Sequence, residues 1–130
     1  MTGEIWLRIA AISGFLTVAL GAFGAHGLEG RVSAQALTWW DKAVHYQGLH
    51  TLALFGCGLL ALQFPALGAL RLAGWGFLIG MLLFCGSLFV MTLTGQRWLG
   101  MVTPLGGLAM LFGWAVLAYA VGPLGSAPQG

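Results

Sequence analysis

The chain has 130 residues, of which five are Lys or Arg and three are Asp or Glu, so that 6% are charged and 59% are hydrophobic. Ordinary soluble domains carry about 25% charged residues, and a small one exposes much of its surface and needs charge to cover it. The composition excludes a soluble globular domain and a disordered chain. The formal charge of +2 excludes a phosphate-binding stripe for nucleic acid. An integral membrane protein remains.

The first apolar run is Trp6–Ala25, interrupted near its start by Arg8. At about 20 residues and ~1.5 Å per residue it spans roughly 30 Å of hydrocarbon. It exceeds the ~7–15 apolar residues of a signal peptide, and Glu4 is wrong for that context, so it reads as a transmembrane helix. Gly27 and Gly30 are expected to break it. Ser33 is a candidate N-cap for the next helix. Leu37, Trp40 and Val44 recur at helical spacing, which predicts an amphipathic helix lying at the interface over 33–42. Trp39 and Trp40 fit an aromatic belt there. No breaker separates this segment from the second span, about 43–62, so the two can run together. Pro65 ends that span, because it cannot continue the hydrogen-bond ladder.

Arg71 marks the next interface, and the third span is about 72–94. Gly95, Gln96 and Arg97 make a short connection, and Trp98 is an interface anchor. The fourth span is about 102–121, with Pro104 in its first turn, where a missing N–H costs little. The tail 122–130 is rich in Pro, Gly and Ser and is expected to fray. The expected fold is thus one all-α membrane domain of four antiparallel transmembrane helices, since short loops set neighbours side by side. Small residues recur every four positions: Thr17, Gly21 and Ala25; Ala53, Cys57 and Ala61; Gly76 and Gly80; Ala109 and Gly113. In lipid such stripes let helices approach closely and gain van der Waals contact. Cys57 and Cys85 lie deep in apolar runs and read as small buried hydrophobes.

Four antiparallel spans place most polar groups on one membrane side. His26, Asp41, Lys42, His45, Tyr46, Gln47, His50, Thr94, Gln96, Arg97 and Thr103 all fall there. Lys42, Tyr46 and His50 share one stripe of the second helix, and Gln47 borders it. His50 sits about two turns, ~10 Å, into the span, where an ionisable group faces the bundle interior or a wet cavity. Three readings of this cluster stand side by side. His26, Tyr46, Gln47, His50, Thr94 and Thr103 can form a hydrogen-bonded knot that locks the helices. The same residues can line a polar pocket for a small polar or lipidic molecule. His26 and His50 can together ligate a haem, if both rings face one cavity. No other cofactor and no metal site is indicated, and no Ser/His/Asp set, paired intramembrane carboxylates or exposed thiol suggests an enzyme.

The string Gly21-Ala22-Phe23-Gly24-Ala25-His26-Gly27-Leu28 resembles a known pattern, as does Trp40 followed by Ala43-Val44-His45-Tyr46-Gln47-Gly48-Leu49-His50. Gly86-Ser87-Leu88, Leu93-Thr94-Gly95, Leu99-Gly100, Thr103-Pro104-Leu105-Gly106-Gly107 and Gly113-Trp114 agree with it. These motifs resemble the family called domain of unknown function 423, whose animal relatives are the transmembrane protein 256-like proteins. The resemblance covers about residues 5–120. It implies a small multi-pass protein of the bacterial inner membrane and carries no activity, substrate or cofactor. Its motif residues coincide with the polar face: His26, Tyr46, Gln47, His50, Thr94, Thr103 and Pro104.

The glycine-rich helix faces and the lack of a reaction site point to a non-enzymatic protein that works by association in the bilayer, as a homo-oligomer or as a subunit of a larger membrane complex. A pocketed transporter or channel component and a haem-binding redox subunit are the alternatives. Lys and Arg divide almost evenly between the two membrane sides, and both termini are expected in the cytoplasm because the tail then needs no translocation.

Overall fold

The computed structural model describes residues 2–122 and residue 124. The described residues are helical, with no strand among them. Helix α1 runs Gly3–Leu28, closing on one wide π turn, Gly24–Leu28. Helix α2 runs Ala34–Gln63, helix α3 Ala69–Thr94 with a π turn at Met81–Cys85, and helix α4 Thr103–Val121 after a short 3-10 turn, Arg97–Met101. Of the expected tail, only Gly122 and Leu124 lie among the described residues.

Local chemistry explains most of the boundaries. The Ser33 hydroxyl accepts the Ala36 N–H at 3.1 Å and caps α2. Glu4 sits in the first turn of α1, beside the positive end of the helix dipole. Gly95 takes φ +74° and closes α3 in the left-handed conformation that glycine adopts without penalty. Pro104 stands in the first turn of α4, as its missing N–H allows. Two expectations change. Gly27 does not break α1, which continues through it to Leu28; the turn comes at Gly30, with φ +82°. The segment 33–42 is no separate element, because α2 is one unbroken 30-residue helix with no Gly or Pro near Ala43 to interrupt it.

Three segments are long and apolar enough to cross a membrane: Gly3–Leu28, Ala69–Thr94 and Arg97–Val121. Helix α2 is not among them, since its stretch 41–50 carries Asp41, Lys42, His45, Tyr46, Gln47 and His50. It lies between α1 and α3, and buries Trp40, Ala43, Gln47, His50, Thr51, Leu54 and Cys57. Gln47, His50 and Thr51 of this helix are thus enclosed by its neighbours, while Asp41, Lys42, His45 and Tyr46 are exposed. Helix α1 packs along α2, α3 packs along α4, and α2 against α3 joins the two pairs.

Glycines set the closest approaches. A Cβ on Gly76 would stand 3.0 Å from the Ala109 carbonyl oxygen, and one on Gly113 2.8 Å from the Phe77 ring. A Cβ on Gly106 would collide with the Phe84 backbone. The small-residue pairs of α3 and α4 thus face each other, as close helix packing in lipid demands. Along α1 and α2, Gly3 meets Leu62, Gly58 meets Leu7, Gly14 meets Thr51, Gly48 meets Thr17 and Gly21 meets Val44. One core cluster gathers Trp6, Leu54, Cys57, Ala73, Phe77 and Met81; a second gathers Ala43, Cys85, Leu88, Met91 and Met110. Both cysteines are buried free thiols, as their apolar settings imply.

Two tryptophans read as belt or boundary residues are core residues. Trp40 is 2% exposed, and its indole N–H donates to the Leu20 carbonyl at 2.8 Å. That bond anchors α2 to α1 and explains why the ring faces inward. Trp6 is fully buried against Gly74, whose missing side chain makes room for the indole. Trp98 is exposed.

Candidate functional site

Four of the six residues of the polar cluster fall into three separate settings, and His26 and Thr94 stand outside them. Gln47 is 8% exposed and turns toward α1, where its amide donates to the Ser13 carbonyl at 3.3 Å. The Ser13 hydroxyl in turn bonds the Thr51 hydroxyl at 2.6 Å. This is a polar knot of α1 and α2, and its other members, Ser13 and Thr51, are residues that the sequence did not single out. A hydroxyl inside an apolar run was the available signal, because lipid offers it no partner. Thr103 bonds Ser87 at 2.6 Å and so ties α4 to α3.

His26 and Thr94 do not join either group. His26 is exposed on the closing turn of α1, and no side-chain hydrogen bond ties it to Tyr46, Gln47 or His50. Thr94 is exposed and donates to the Val90 carbonyl of its own helix at 2.7 Å. A shared membrane side placed these residues at one end of the bundle, but sharing an end fixes neither depth nor direction. The single knot of six residues is therefore corrected to two smaller ones with different membership.

His50 is the centre of the third setting. It is 3% exposed and uses both ring nitrogens. The Trp114 indole N–H points at Nε2, 3.0 Å away, and Nδ1 lies 2.8 Å from the Tyr46 carbonyl oxygen. Indole N–H only donates, so Nε2 must accept, and the proton of the neutral ring resides on Nδ1, which donates to Tyr46. The two contacts together select one tautomer. Phe77, buried, stands behind both rings, with centroids 5.7 Å from His50 and 4.9 Å from Trp114. Tyr46 stacks over His50 at 6.1 Å and leans on Phe84 at 4.7 Å.

In front of this group lies a cavity of about 570 Å³, between α2, α3 and α4. Tyr46, His50, Phe84 and Trp114 supply its aromatic walls, Pro104 and Gly107 stand at the α4 side, and Leu49, Leu108 and Leu111 extend it outward. Leu108 and Leu111 are exposed, so the cavity opens on the outer face of the bundle. No charged side chain lines it. Trp114 is the residue of this site that sequence reasoning missed as a functional group. Its position in the middle of a span, rather than at an end, was the signal, since belt tryptophans sit at the interfaces.

Haem ligation by His26 and His50 needs a free ring-nitrogen lone pair. The single lone pair of His50 already accepts from Trp114, and His26 does not share its cavity. Among the described residues no three of His, Cys, Asp and Glu gather at one point.

Comparison with known proteins adds the family. The model described as Protein of unknown function (DUF423) matches residues 20–107. The UPF0382 membrane protein YwdK of Bacillus subtilis is 39% identical over 117 residues, covering 90% of this chain and 95% of its own length. A UPF0382 membrane protein of Haemophilus influenzae is 43% identical over 114 residues, covering 88% of this chain and 90% of its own. The UPF0382 inner membrane protein YgdD of Escherichia coli is 40% identical over 123 residues, covering 90% and 88%. No solved structure matches. The span of the family model and the near full-length relatives agree with the motifs around His26 and His50, and the chain belongs to the DUF423 family of membrane proteins.

Proposed function

We propose that this chain is a non-enzymatic, four-pass protein of the bacterial inner membrane that holds a small lipidic molecule in the His50–Trp114 cavity. The cavity itself carries the reading. Its volume falls within the ~300–1,000 Å³ of ligand sites, and it combines apolar walls with a few placed polar groups. The binding residues are Tyr46, His50 and Trp114. Gln47 and Thr103 serve packing, and His26 and Thr94 leave the site. No cofactor takes part.

Helix α2 is the fourth span in this reading. Its length of ~45 Å at ~1.5 Å per residue exceeds the hydrocarbon thickness, and its deeper polar residues Gln47, His50 and Thr51 are buried against the other helices. The excess length is its first two turns, 34–42, which stand at the interface. Antiparallel packing is supported by the order of contacts on α1 and α2, where Gly3 meets Leu62 and Gly21 meets Val44. The whole chain is then one membrane domain with both termini in the cytoplasm.

Substituting Gly107→Leu tests the ligand. A Cβ there has only the Phe84 ring near it, at 4.0 Å, so the larger side chain fills the cavity without a backbone collision. Organic extracts of the purified wild type should yield one retained neutral lipid by mass spectrometry, absent from the folded variant. Equal retention by both proteins, or retention by neither, overturns the reading.

A second reading keeps association as the role, in a homo-oligomer or as an accessory subunit. Most of the glycines that motivate it are consumed inside the chain, at the α1–α2 and α3–α4 contacts. Gly56 and Gly86 are not: a Cβ on either meets nothing within 4 Å. Those two positions are where a neighbouring helix has room to approach. Gly86→Leu should then lower the oligomeric mass in detergent, and an unchanged mass rejects this reading.

A further inference from the structure

The chemistry lining the His50–Trp114 cavity narrows what it can hold, and the inference rests on the proposal that it holds a lipidic molecule. Three features act together. The first is the absence of charge: no Lys, Arg, Asp or Glu lines the cavity. A phosphate headgroup or a fatty-acid carboxylate buried there would lack a counter-charge, which is costly in a low-dielectric setting. The polar part of the ligand is therefore neutral.

The second feature is shape. Four ring systems, Tyr46, His50, Phe84 and Trp114, form the walls. Aromatic rings hold another flat ring in offset or edge-on contact at ~4.5–7 Å, and such pairs add to simple area burial. A saturated chain gains nothing from these rings that leucine would not give. The leucines stand instead at the mouth: Leu108 and Leu111 line the outward, lipid-facing end, where an alkyl tail would leave.

The third feature is the hydrogen-bond inventory. Both nitrogens of His50 and the Trp114 N–H are occupied by each other and by the Tyr46 carbonyl. Among the described residues the Tyr46 hydroxyl makes no hydrogen bond, although it belongs to a residue that lines the cavity. Tyr46 is 37% exposed, so its phenol O–H is open to donate to an acceptor on a ligand. From neutral walls, stacked rings, an alkyl exit and one free donor, we infer that the cavity binds a membrane-soluble molecule with a flat conjugated ring, a carbonyl oxygen and an alkyl tail, the chemistry of a quinone. The ring lies among Tyr46, Phe84 and Trp114, the Tyr46 O–H donates to the carbonyl, and the tail passes Leu108 and Leu111. Binding alone is assigned, with no electron transfer.

The test uses the full chain in lipid nanodiscs. Decylubiquinone is titrated, and the tryptophan fluorescence that disappears in Trp114→Phe serves as the readout. Nanodiscs containing brominated phosphatidylcholine report whether an ordinary acyl chain fills the cavity instead. Saturable quenching of the Trp114 component by decylubiquinone is expected, with affinity about fivefold to tenfold weaker in Tyr46→Phe, as loss of one hydrogen bond implies. Equal binding by Tyr46→Phe overturns the inference. Quenching by the brominated lipid that decylubiquinone cannot relieve also overturns it, while leaving a lipid-filled cavity in place. No quenching by either probe removes both the inference and the function it rests on. Should Trp114→Phe fail to fold, equilibrium dialysis of decylubiquinone against wild type and Gly107→Leu makes the same decision: binding to the wild type alone supports the inference, and binding to both or neither overturns it.

Discussion

Trp114 and His50, 64 positions apart in sequence, meet through a 3.0 Å hydrogen bond from the indole N–H to Nε2. The bond joins α4 to α2, helices that otherwise touch mainly through α3. Polar pairs between membrane helices contribute ~0.6–2 kcal/mol. Trp114→Phe keeps an aromatic ring against Phe77 but removes the donor and leaves Nε2 without a partner. We expect a loss of about 1–2 kcal/mol in unfolding free energy, measured by denaturation in mixed micelles. A variant as stable as the wild type would show that the contact contributes only packing.

The knot of α1 and α2 gives an independent prediction. Ser13 and Thr51 share a 2.6 Å bond, and Gln47 donates to the Ser13 carbonyl. Hydrocarbon offers neither hydroxyl another partner. A double-mutant cycle of Ser13→Ala and Thr51→Val should return a coupling of ~0.6–1.7 kcal/mol, the range found for such pairs in bilayers. Additive effects would mean that each hydroxyl finds a substitute within the bundle when the first is removed.

Much of this architecture is legible in the sequence, and the reason is locality. Ser33, Pro65, Gly95 and Pro104 act on the backbone within a turn of themselves, so their effects can be read without knowing what lies nearby. The Gly76 and Gly80 spacing is likewise a property of one helix face. The site is different. Ser13–Thr51 and His50–Trp114 join residues 38 and 64 positions apart. Which of several polar residues on one helix meets which partner depends on how each helix is rotated about its axis. Gln47 and His50, three positions apart, turn to α1 and α4 respectively. His26 is exposed on the closing turn of α1 while Gln47 and His50 are buried, and no motif records that distinction.

Glycine substitutions should separate contact positions from open ones. A Cβ on Gly106 runs into the Phe84 backbone, which cannot move as a flexible side-chain end can. A Cβ on Gly56 meets nothing within 4 Å. Gly106→Ala should therefore push α4 from α3 and cost about 1–3 kcal/mol, as overpacking does. Gly56→Ala should be neutral, or slightly stabilising through better helix propensity. Thermal unfolding of the two variants beside the wild type gives the comparison. Equal stability would mean that the α3–α4 contact relaxes freely.

The passage of α2 across the bilayer can be tested by its two ends. Cys57 and Cys85 are buried free thiols, 0% and 2% exposed, so the native chain is a nearly silent background for a membrane-impermeant maleimide. Glu29 is exposed in the turn before α2, and Gln63 is exposed at its last position. If α2 spans the bilayer with the termini in the cytoplasm, Glu29→Cys should label in intact spheroplasts. Gln63→Cys should label only after the membrane is permeabilised. The opposite pattern would reverse the orientation while keeping four spans. Labelling of both from outside would put both ends of α2 on one side of the membrane and reject the four-span reading.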